Sequence, residues 1–214
     1  MSGNASCSHR IRLFRNDWLE KLTLISPFAF ATTWSAILIF GAYMGWGTVD
    51  VVRGIGLMVL GMLVWTVFEY ALHRFLFHMK LDSAAGKQLL FLIHGNHHAD
   101  PGDRYRNMMP LVVSVTLGGL CWAGFVALAG RPGSLLFLGF GLGYVIYDTI
   151  HYACHQWPMR GPVLKQLKRH HLRHHYARTD GNYSISAIFW DRLLGTGIPG
   201  KRQEIRSRRK PVAG

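Results

Sequence analysis

The segment GSLLFLGFGLGYVIYDTIHYACH, residues 133–155, joins a long apolar run to two histidines. Residues 133–150 contain a single charged side chain, Asp148, and are long enough to cross most of a hydrocarbon layer as a helix. His151 and His155 are four residues apart, so both imidazoles project from one face of that helix. The segment therefore predicts a membrane span whose end carries candidate metal ligands.

Three other apolar stretches, residues 27–46, 51–72 and 110–129, have the length and composition of further membrane spans. The connections at residues 46–50 and 130–132 are short, which predicts that the four spans form two hairpins. The predicted fold class is all-α: an integral membrane protein with four transmembrane helices in two hairpins and a histidine-rich cytosolic cap. We expect one domain over residues 27–200, between a polar cytosolic tail, residues 1–26, and a basic tail, residues 201–214.

The net charge of +13 and the pI near 10.2 would be compatible with a nucleic-acid-binding protein. Half of the residues are hydrophobic, however, and they form long blocks with the basic residues between and after them, which is typical of a membrane protein. Of the 24 Lys and Arg residues, 22 fall in three segments on one side of the four-span arrangement. This asymmetry predicts that both termini and the cap are cytosolic. We expect the basic run at residues 202–210 to contact anionic lipid headgroups.

The cysteines and the N-terminal residues argue against a disulfide-bonded protein, a thiolate metal site and a cleaved signal peptide. Cys7, Cys121 and Cys154 form no CxxC pair, so the sequence predicts neither a disulfide framework nor a thiolate metal site. The first twenty residues are polar and lack the pattern of a cleaved signal peptide, so we expect the first span to remain in the protein.

Histidine placement is the strongest functional signal in the chain. Twelve histidines are present, and all except His9 lie between residues 73 and 175, in segments expected at the cytosolic surface. Omitting His9 and His170, ten remain, which is too many for one ion and suits two ions with about five ligands each. Imidazole alone leaves zinc, copper, iron and nickel open. The four groups are His73 and His78; His94, His97 and His98; His151 and His155; and His170, His171, His174 and His175.

The spacings inside these groups predict how they could converge. His171, His174 and His175 share one helical face, and residues 94–98 repeat the HxxHH pattern, with Gly95 making a regular helix there less certain. His73 and His78 are five residues apart, about 140° around an α-helix, so they could reach two different ions or the helix could break between them. A single histidine in an apolar span is commonly a packing residue, but four groups on one side are hard to reconcile with packing alone. A haem protein would need only two to four axial histidines.

Beyond these spacings, the chain resembles the fatty acid hydroxylase superfamily of membrane proteins, and more narrowly the catalytic domain of fatty acid 2-hydroxylases. HxxHH alone is a weak motif, whereas the ordered set is specific, and the DRYR…MP and GYxxYDxxHY runs favour acyl-chain hydroxylases over sterol desaturases. The matching segments are FEYALHRFLFHMK at 68–80, HGNHHADPGDRYRNMMP at 94–110, GYVIYDTIHYACH at 143–155, LKRHHLRHHY at 167–176 and SISAIFWDRLLGT at 184–196.

The resemblance implies an O2-dependent, non-haem di-iron enzyme that hydroxylates a lipid acyl chain, most simply at the 2-position. The metal is expected to be iron, with zinc possible in a purified form. Residues 1–26 are too few to fold as a cytochrome b5 domain, so a separate ferredoxin or cytochrome b5 is expected to supply electrons. By motif position, the implied metal ligands are His73, His78, His94, His97, His98, His151, His155, His171, His174 and His175.

Several other residues are candidates for supporting roles. Glu69 precedes His73 by four residues and Asp148 precedes His151 by three, so each carboxylate could accept a hydrogen bond from a ligand imidazole. The alternative for both is that they act as caps or pair with Arg74, Arg104 or Arg106. We expect Tyr147 to line the pocket together with Tyr144 and Tyr152. His170 is left as a second layer around the ligands or as a spare, and Trp190 and Asp191 as anchors of the cap.

Two rival functions remain at this point. A sterol or carotenoid hydroxylase or desaturase would use the same histidine motifs. A metal transporter or metal-storing membrane protein would also need many ligands, but transporters place them near the bilayer midplane, and here they lie at one surface.

Overall fold

The computed structural model describes residues 10–200, so the basic run at 202–210, His9 and Cys7 lie outside the described residues. Within that range the secondary structure is helical and no strand is present. Four helices are long and apolar enough to cross a membrane, which confirms the predicted fold class. These helices are α2 (Pro27–Gly45), α3 (Val51–Ala71), α6 (Leu111–Ala129) and α7 (Gly133–Gln156).

The short helices lie at one end of the spans. They comprise α1 (Asp17–Leu22), α4 (Ala84–Leu90), α5 (Asn96–Ala99), α8 (Pro162–Tyr176) and α9 (Phe189–Leu193). Two π-helical turns, Leu72–Phe77 and Phe91–Gly95, continue directly from α3 and α4. Residues 78–110 and 157–200, called the cap below, therefore cover the end of the four spans at which α3 and α7 terminate.

Tight connections produce the two hairpins. Gly47 and Gly130 both have positive φ values, 66° and 65°, which glycine adopts without a Cβ clash. Asp50 begins α3 by accepting a hydrogen bond from the Arg53 amide. Because both hairpin turns lie at the same end, the beginnings of α2 and α6 and the ends of α3 and α7 all meet at the cap.

Helices α3 and α7 form the centre of the bundle. A Cβ placed on Gly139 would lie 1.9 Å from the Met58 carbonyl oxygen, and one on Gly61 would lie 2.0 Å from the Leu136 carbonyl oxygen. The two backbones are therefore in direct contact, as small residues permit in membrane helices. Toward the cap, Trp65 packs edge-on against Phe140 and Tyr144, with ring centroids 5.1 and 5.3 Å apart.

Two of the spans extend past their predicted ends. The fourth was expected to finish near residue 150, but α7 continues as a regular helix to Gln156. The second was expected to finish at residue 72, but helical structure continues through the π turn to Phe77. Both extensions carry histidines, because the ligand-bearing turns are continuations of the spans rather than separate loops.

The segment before the first span is not a free tail within residues 10–26. Helix α1 begins at the Asn16 cap, whose side chain accepts hydrogen bonds from the Trp18 and Leu19 amides. The Glu20 carboxylate accepts bonds from two amides of the preceding turn and pairs with Arg106 of the cap. Composition alone suggested a polar tail, because these contacts with the cap are not visible in local sequence.

Candidate metal centre

Four separate parts of the chain bring ten histidines together at the cap end of the spans. They are the π turn after α3, the second π turn with α5, the end of α7, and α8. Within each of two groups, one nitrogen per histidine lies within 4.8 Å of all the others. Group A is His73, His78, His94, His98 and His174, and group B is His97, His151, His155, His171 and His175.

Each HxxHH motif supplies both groups. His94 and His98, one α-helical turn apart, belong to group A, while His97 between them belongs to group B. In α8 the assignment is reversed, because the outer pair belongs to group B and His174 belongs to group A. The groups are adjacent: the rings of His98 and His175 stack across them with centroids 4.2 Å apart.

The π turn explains the five-residue spacing of His73 and His78. The His78 amide donates to the His73 carbonyl oxygen at 3.2 Å, which is the i→i+5 bond of a π-helix. With that winding the two side chains return to the same side of the helix and both join group A. His73 and His78 thus lie in one group rather than in two, and the helix ends between them, at Phe77, with His78 as its C-cap.

The Nε2 atoms face inward at separations suited to a shared cation. In group A, His78 and His174 are 3.0 Å apart at these atoms; in group B, His151 and His97 are 2.9 Å apart. Nitrogens bound at about 2.1 Å and at right angles around one ion are separated by about 3.0 Å. The donor sets of both groups therefore fit one metal ion each.

Hydrogen bonds at the Nδ1 atoms of His73 and His174, opposite their inward-facing Nε2 atoms, fix the tautomers of these two imidazoles. The Nδ1 atom of His73 bonds the Tyr183 carbonyl oxygen, and that of His174 bonds the Gly181 carbonyl oxygen at 2.8 Å. A carbonyl can only accept, so Nδ1 carries the hydrogen and Nε2 keeps its lone pair. Since these lone pairs point at other imidazole nitrogens, a cation is the natural partner for them.

Burial favours the neutral, metal-binding form of these imidazoles. Desolvation is the main cause that lowers the pKa of His98 to about 3 and that of His174 to about 4. Burial followed by repulsion from neighbouring imidazoles holds the pKa of His97 and His171 well below the ordinary 6.5. Even without an ion, these four rings are neutral at pH 7.

The two carboxylates proposed to contact ligand imidazoles have other partners. Glu69 accepts hydrogen bonds from the amides of Ile185 and Ser186, and Asp148 accepts from the Met109 amide at 3.1 Å and the Tyr144 hydroxyl at 2.9 Å. Neither bonds a histidine or pairs with an arginine among residues 10–200, so the expected imidazole contacts and arginine pairs are corrected. Both carboxylates accept from backbone amides, which is closest to the capping alternative. Helical spacing places each carboxylate beside a ligand, but the nearby cap backbone offers donors that the spacing cannot reveal.

His170 and Asp191 form a pair outside both groups. The His170 Nε2 lies 3.0 Å from the Asp191 carboxylate, and Asp191 has no exposed surface. Asp191 also accepts bonds from the amides of Tyr183 and Ser184, so it fixes the loop that contacts His73 and His174. The sequence predicts only an anchoring role for Asp191, and the one acidic residue in the short helix FWDRL is the available signal.

The three tyrosines expected around the site all pack in the core. Of the three, Tyr147 also lines the cavity that is described in the next paragraph. The Tyr147 ring lies nearly parallel to that of His151, with an interplanar angle of 15° and centroids 6.1 Å apart. This contact restricts the orientation of a group B imidazole.

A cavity of about 520 Å³ leads to both histidine groups. Its walls are mostly apolar and come from the N-terminal segment, the end of α3 with its π turn, and the beginning of α6. His94 of group A and His97 and His151 of group B are among the residues that line it. The size is within the range of small-molecule sites, and the apolar walls suit a hydrocarbon chain.

Comparisons with known proteins agree with this geometry. The fatty acid hydroxylase family model matches residues 58–196. The chain is 36% identical over 190 residues to the dihydroceramide fatty acyl 2-hydroxylase FAH1 of Arabidopsis thaliana, covering 86% of this chain and 79% of that protein. It is 34% identical over 217 residues to the fatty acid 2-hydroxylase of Homo sapiens, covering 89% of this chain and 58% of the human protein.

A similar fold is found among solved structures. Full-length scs7p, in which only the hydroxylase domain is visible, matches with a TM-score of 0.79 and 31% sequence identity. The match covers 85% of this chain and 70% of that one.

Proposed function

This chain belongs to the fatty acid hydroxylase family and is a membrane oxidoreductase, and from that premise we propose that it hydroxylates a lipid acyl chain at carbon 2. In the proposed reaction, O2, two electrons and two protons convert the CH2 group beside the acyl carbonyl to CHOH, and the second oxygen atom leaves as water. The substrate class follows from relatives that are named as acyl 2-hydroxylases.

The single observation that carries the proposal is the apolar cavity with histidines of both groups in its wall. An acyl chain placed there would be surrounded by side chains such as Phe68, Leu72 and Val113, while one of its carbons lies beside His94 and His151. A metal transporter has no use for a hydrocarbon-lined cavity at this position.

The ten histidines are the proposed ligands of two ions, one for each group. The ions, which we propose to be iron with zinc as a substitute in purified protein, would supply the activation of O2 that breaks an unactivated C–H bond. The chain supplies position: the i,i+4 pairs and the π turn aim the nitrogens, and Tyr147 packs against His151. The apolar walls exclude water from the reacting carbon.

Carbon 2 fits the location of the site in the bilayer. The histidines lie where the spans end, so the headgroup end of a lipid would reach them while its tail remains among apolar walls. Arg106 and Asn107 line the same cavity and offer polar contacts to the carbonyl end of the acyl group.

The distribution of Lys and Arg supports an orientation with the cap, and both termini, in the cytosol. A separate electron-transfer protein, a ferredoxin or a cytochrome b5, would then deliver electrons from the cytosolic side. No nucleic acid takes part in the proposed function.

The test is expression in a host that lacks 2-hydroxy lipids, followed by mass spectrometry of its lipids. We expect 2-hydroxyacyl lipids with the wild-type chain and none with His97→Ala, which removes a buried group B imidazole. An oxidised sterol or carotenoid beside unchanged acyl chains would reject the substrate class. Metal flux in proteoliposomes without O2 consumption would reject the reaction.

A further inference from the structure

Residues 181–186, called the cap loop below, touch group A directly. The Tyr183 and Gly181 carbonyl oxygens accept the Nδ1–H bonds of His73 and His174, two of the five group A histidines. The loop therefore determines where these two imidazoles point. The cap loop is in no helix or strand and its residues 181–185 are buried, so its backbone amides need partners elsewhere.

One of those partners is Asp191. Its carboxylate accepts hydrogen bonds from the Tyr183 and Ser184 amides, each at 2.8 Å, and from the Thr196 hydroxyl at 2.7 Å. Asp191 is fully buried, so water does not compete for these bonds. The carboxylate thus holds the residue whose carbonyl oxygen orients His73.

The other partner is Glu69. Its Oε1 atom accepts from the Ile185 amide at 2.6 Å and the Ser186 amide at 2.9 Å, and its Oε2 atom accepts from the Ser186 hydroxyl. Four consecutive amides, 183 to 186, are therefore divided between two buried carboxylates. Glu69 also lies one helical turn before His73, so the carboxylate and the imidazole bind the same loop from α3 and its π turn.

Group B is held differently. The Nδ1 atoms of His97, His171 and His175 are buried and have no hydrogen-bond partner among residues 10–200. His151 lies against the backbone of Asn107 rather than the cap loop. Packing within α5, α7 and α8 orients most of this group. The cap loop and Asp191 also contact α8 at His170, but the imidazoles to which the loop carbonyl oxygens bond belong to group A.

We propose that Asp191 and Glu69 are positioning residues for the group A metal site alone, acting through the cap loop. The inference rests on the proposed function, in which each group binds one ion. Replacing either carboxylate by its amide removes an acceptor and presents an NH2 group to N–H donors, so the loop must shift. Loss of such outer contacts typically weakens metal binding by about 10- to 100-fold.

The experiment measures metal binding rather than turnover. Wild type, Asp191→Asn and Glu69→Gln are purified in detergent, loaded with Co²⁺ and challenged with increasing chelator, and the retained metal is measured by elemental analysis. We expect each variant to release one of its two ions at chelator concentrations roughly 10- to 100-fold lower than wild type does, while the other ion is retained as in wild type.

Glu20→Gln is the matched control. Glu20 also accepts bonds from two consecutive amides, those of Leu13 and Phe14, but within residues 10–200 neither of these residues hydrogen-bonds a histidine of either group. We expect Glu20→Gln to retain both ions with the wild-type chelator profile. A similar loss in this control would mean that any capped turn affects the metals, and would overturn the proposal.

The identity of the released ion can be read from Co²⁺ absorption. His78→Ala removes a group A ligand and His155→Ala removes a group B ligand. The spectrum of the ion retained by Asp191→Asn should match the one retained by His78→Ala and differ from the one retained by His155→Ala. A match with His155→Ala, or equal loss of both ions, contradicts the inference.

Failure of the proposed function would be seen separately, because the lipid analysis would then show no 2-hydroxyacyl lipid, while the chelator assay still reports whether Asp191 and Glu69 affect one bound ion. If Asp191→Asn does not fold, Ser186→Ala provides the test, since it deletes only the hydroxyl bond to Glu69. This substitution should weaken the binding of one ion by roughly 10-fold, the lower end of the expected range. Unchanged release of both ions from Ser186→Ala would contradict the proposal.

Discussion

Helices α3 and α7 both enter the metal centre from the membrane, but they present their histidines in different ways. Helix α7 remains an α-helix to Gln156, and its proposed ligands, His151 and His155, are four residues apart. Helix α3 gives way to a π turn after Ala71, and its proposed ligands, His73 and His78, are five residues apart. Each pair nevertheless joins a single group, the first group B and the second group A.

The difference teaches that ligand spacing and helix type are matched. In these two helices, histidines one turn apart share a group, whether the turn takes four residues, as in α7, or five, as in the π turn after α3. A histidine off that register joins the other group, as His97 does between His94 and His98. The same helices can thus provide proposed ligands for both ions.

Deleting Phe75 should have the largest effect on this match. Phe75 is 61% exposed and lies in the π turn between the two ligands, so its loss shortens their spacing to four without removing a buried side chain. We expect the turn to become α-helical and the chain after it to shift, which separates His78 from group A. Metal content should fall from about two ions per chain to about one, with no hydroxylated lipid.

Phe75→Ala is the control, since it keeps the spacing and should retain both ions. Elemental analysis of purified protein and mass spectrometry of host lipids provide the two measurements. If the deletion retains two ions and activity, the π turn is dispensable and the rule that matches spacing to helix type is wrong.

The next effect concerns the contact that sets α3 against α7. A Cβ at position 139 would lie 1.9 Å from the Met58 carbonyl oxygen, so Gly139→Ala must push the two helices apart. We expect a loss of about 1–3 kcal/mol in the free energy of unfolding and weaker binding of both ions, because the two helices carry ligands of different groups. Unfolding in a denaturing detergent, followed by circular dichroism, measures the loss.

Gly124→Ala on α6 is the matched substitution, because a Cβ there would meet nothing within 4 Å. It should leave stability and metal content unchanged. Equal destabilisation by the two variants would show that the α3–α7 contact has no special role.

Hydropathy and histidine spacing predicted the four spans, the hairpins and the ten converging imidazoles. These features depend on local patterns: apolar length for the spans, and one α-helical turn for pairs such as His151 and His155. The π turn could not be predicted because residues five apart lie about 140° apart around an α-helix, so the spacing does not place His73 and His78 on one face. Its i→i+5 bonds are adopted in the context of the bundle, where His73 is almost fully buried.

Non-local partners were the other features that could not be predicted. Glu69 and Asp148 were placed beside the imidazoles by register, yet they bind backbone amides more than 35 positions away in the chain. The hydrogen bonds of Asp191 to the cap loop and the contact of the N-terminal segment with Arg106 could likewise not be predicted. Long-range hydrogen bonds between loops leave no periodic pattern in the sequence.

The smallest expected effect concerns the cavity that leads to both histidine groups. Residues 13–23 form one of its walls, and the Glu20 carboxylate holds them by accepting the Leu13 and Phe14 amides, each at 3.0 Å, and pairing with Arg106. Burial alone would raise the pKa of Glu20, but the two amides and the Arg106 guanidinium outweigh it and lower the pKa below 4.5. The stabilisation is therefore complete above pH 4.5 and is lost as pH falls through the lower, folded-state value.

Glu20→Gln should loosen this wall at pH 7 and leave the bundle intact. We expect the Leu13 and Phe14 amides to exchange hydrogen roughly tenfold faster than in wild type, because a bond to a charged acceptor contributes on the order of 1.5 kcal/mol. The ratio of variant to wild type, measured at equal pH by mass spectrometry, should approach one below pH 4.5. Asp17→Asn, on the exposed side of α1, should keep the wild-type rates. A ratio that stays constant with pH would mean that packing of Leu13 and Phe14, and not the Glu20 charge, holds this wall of the cavity in place.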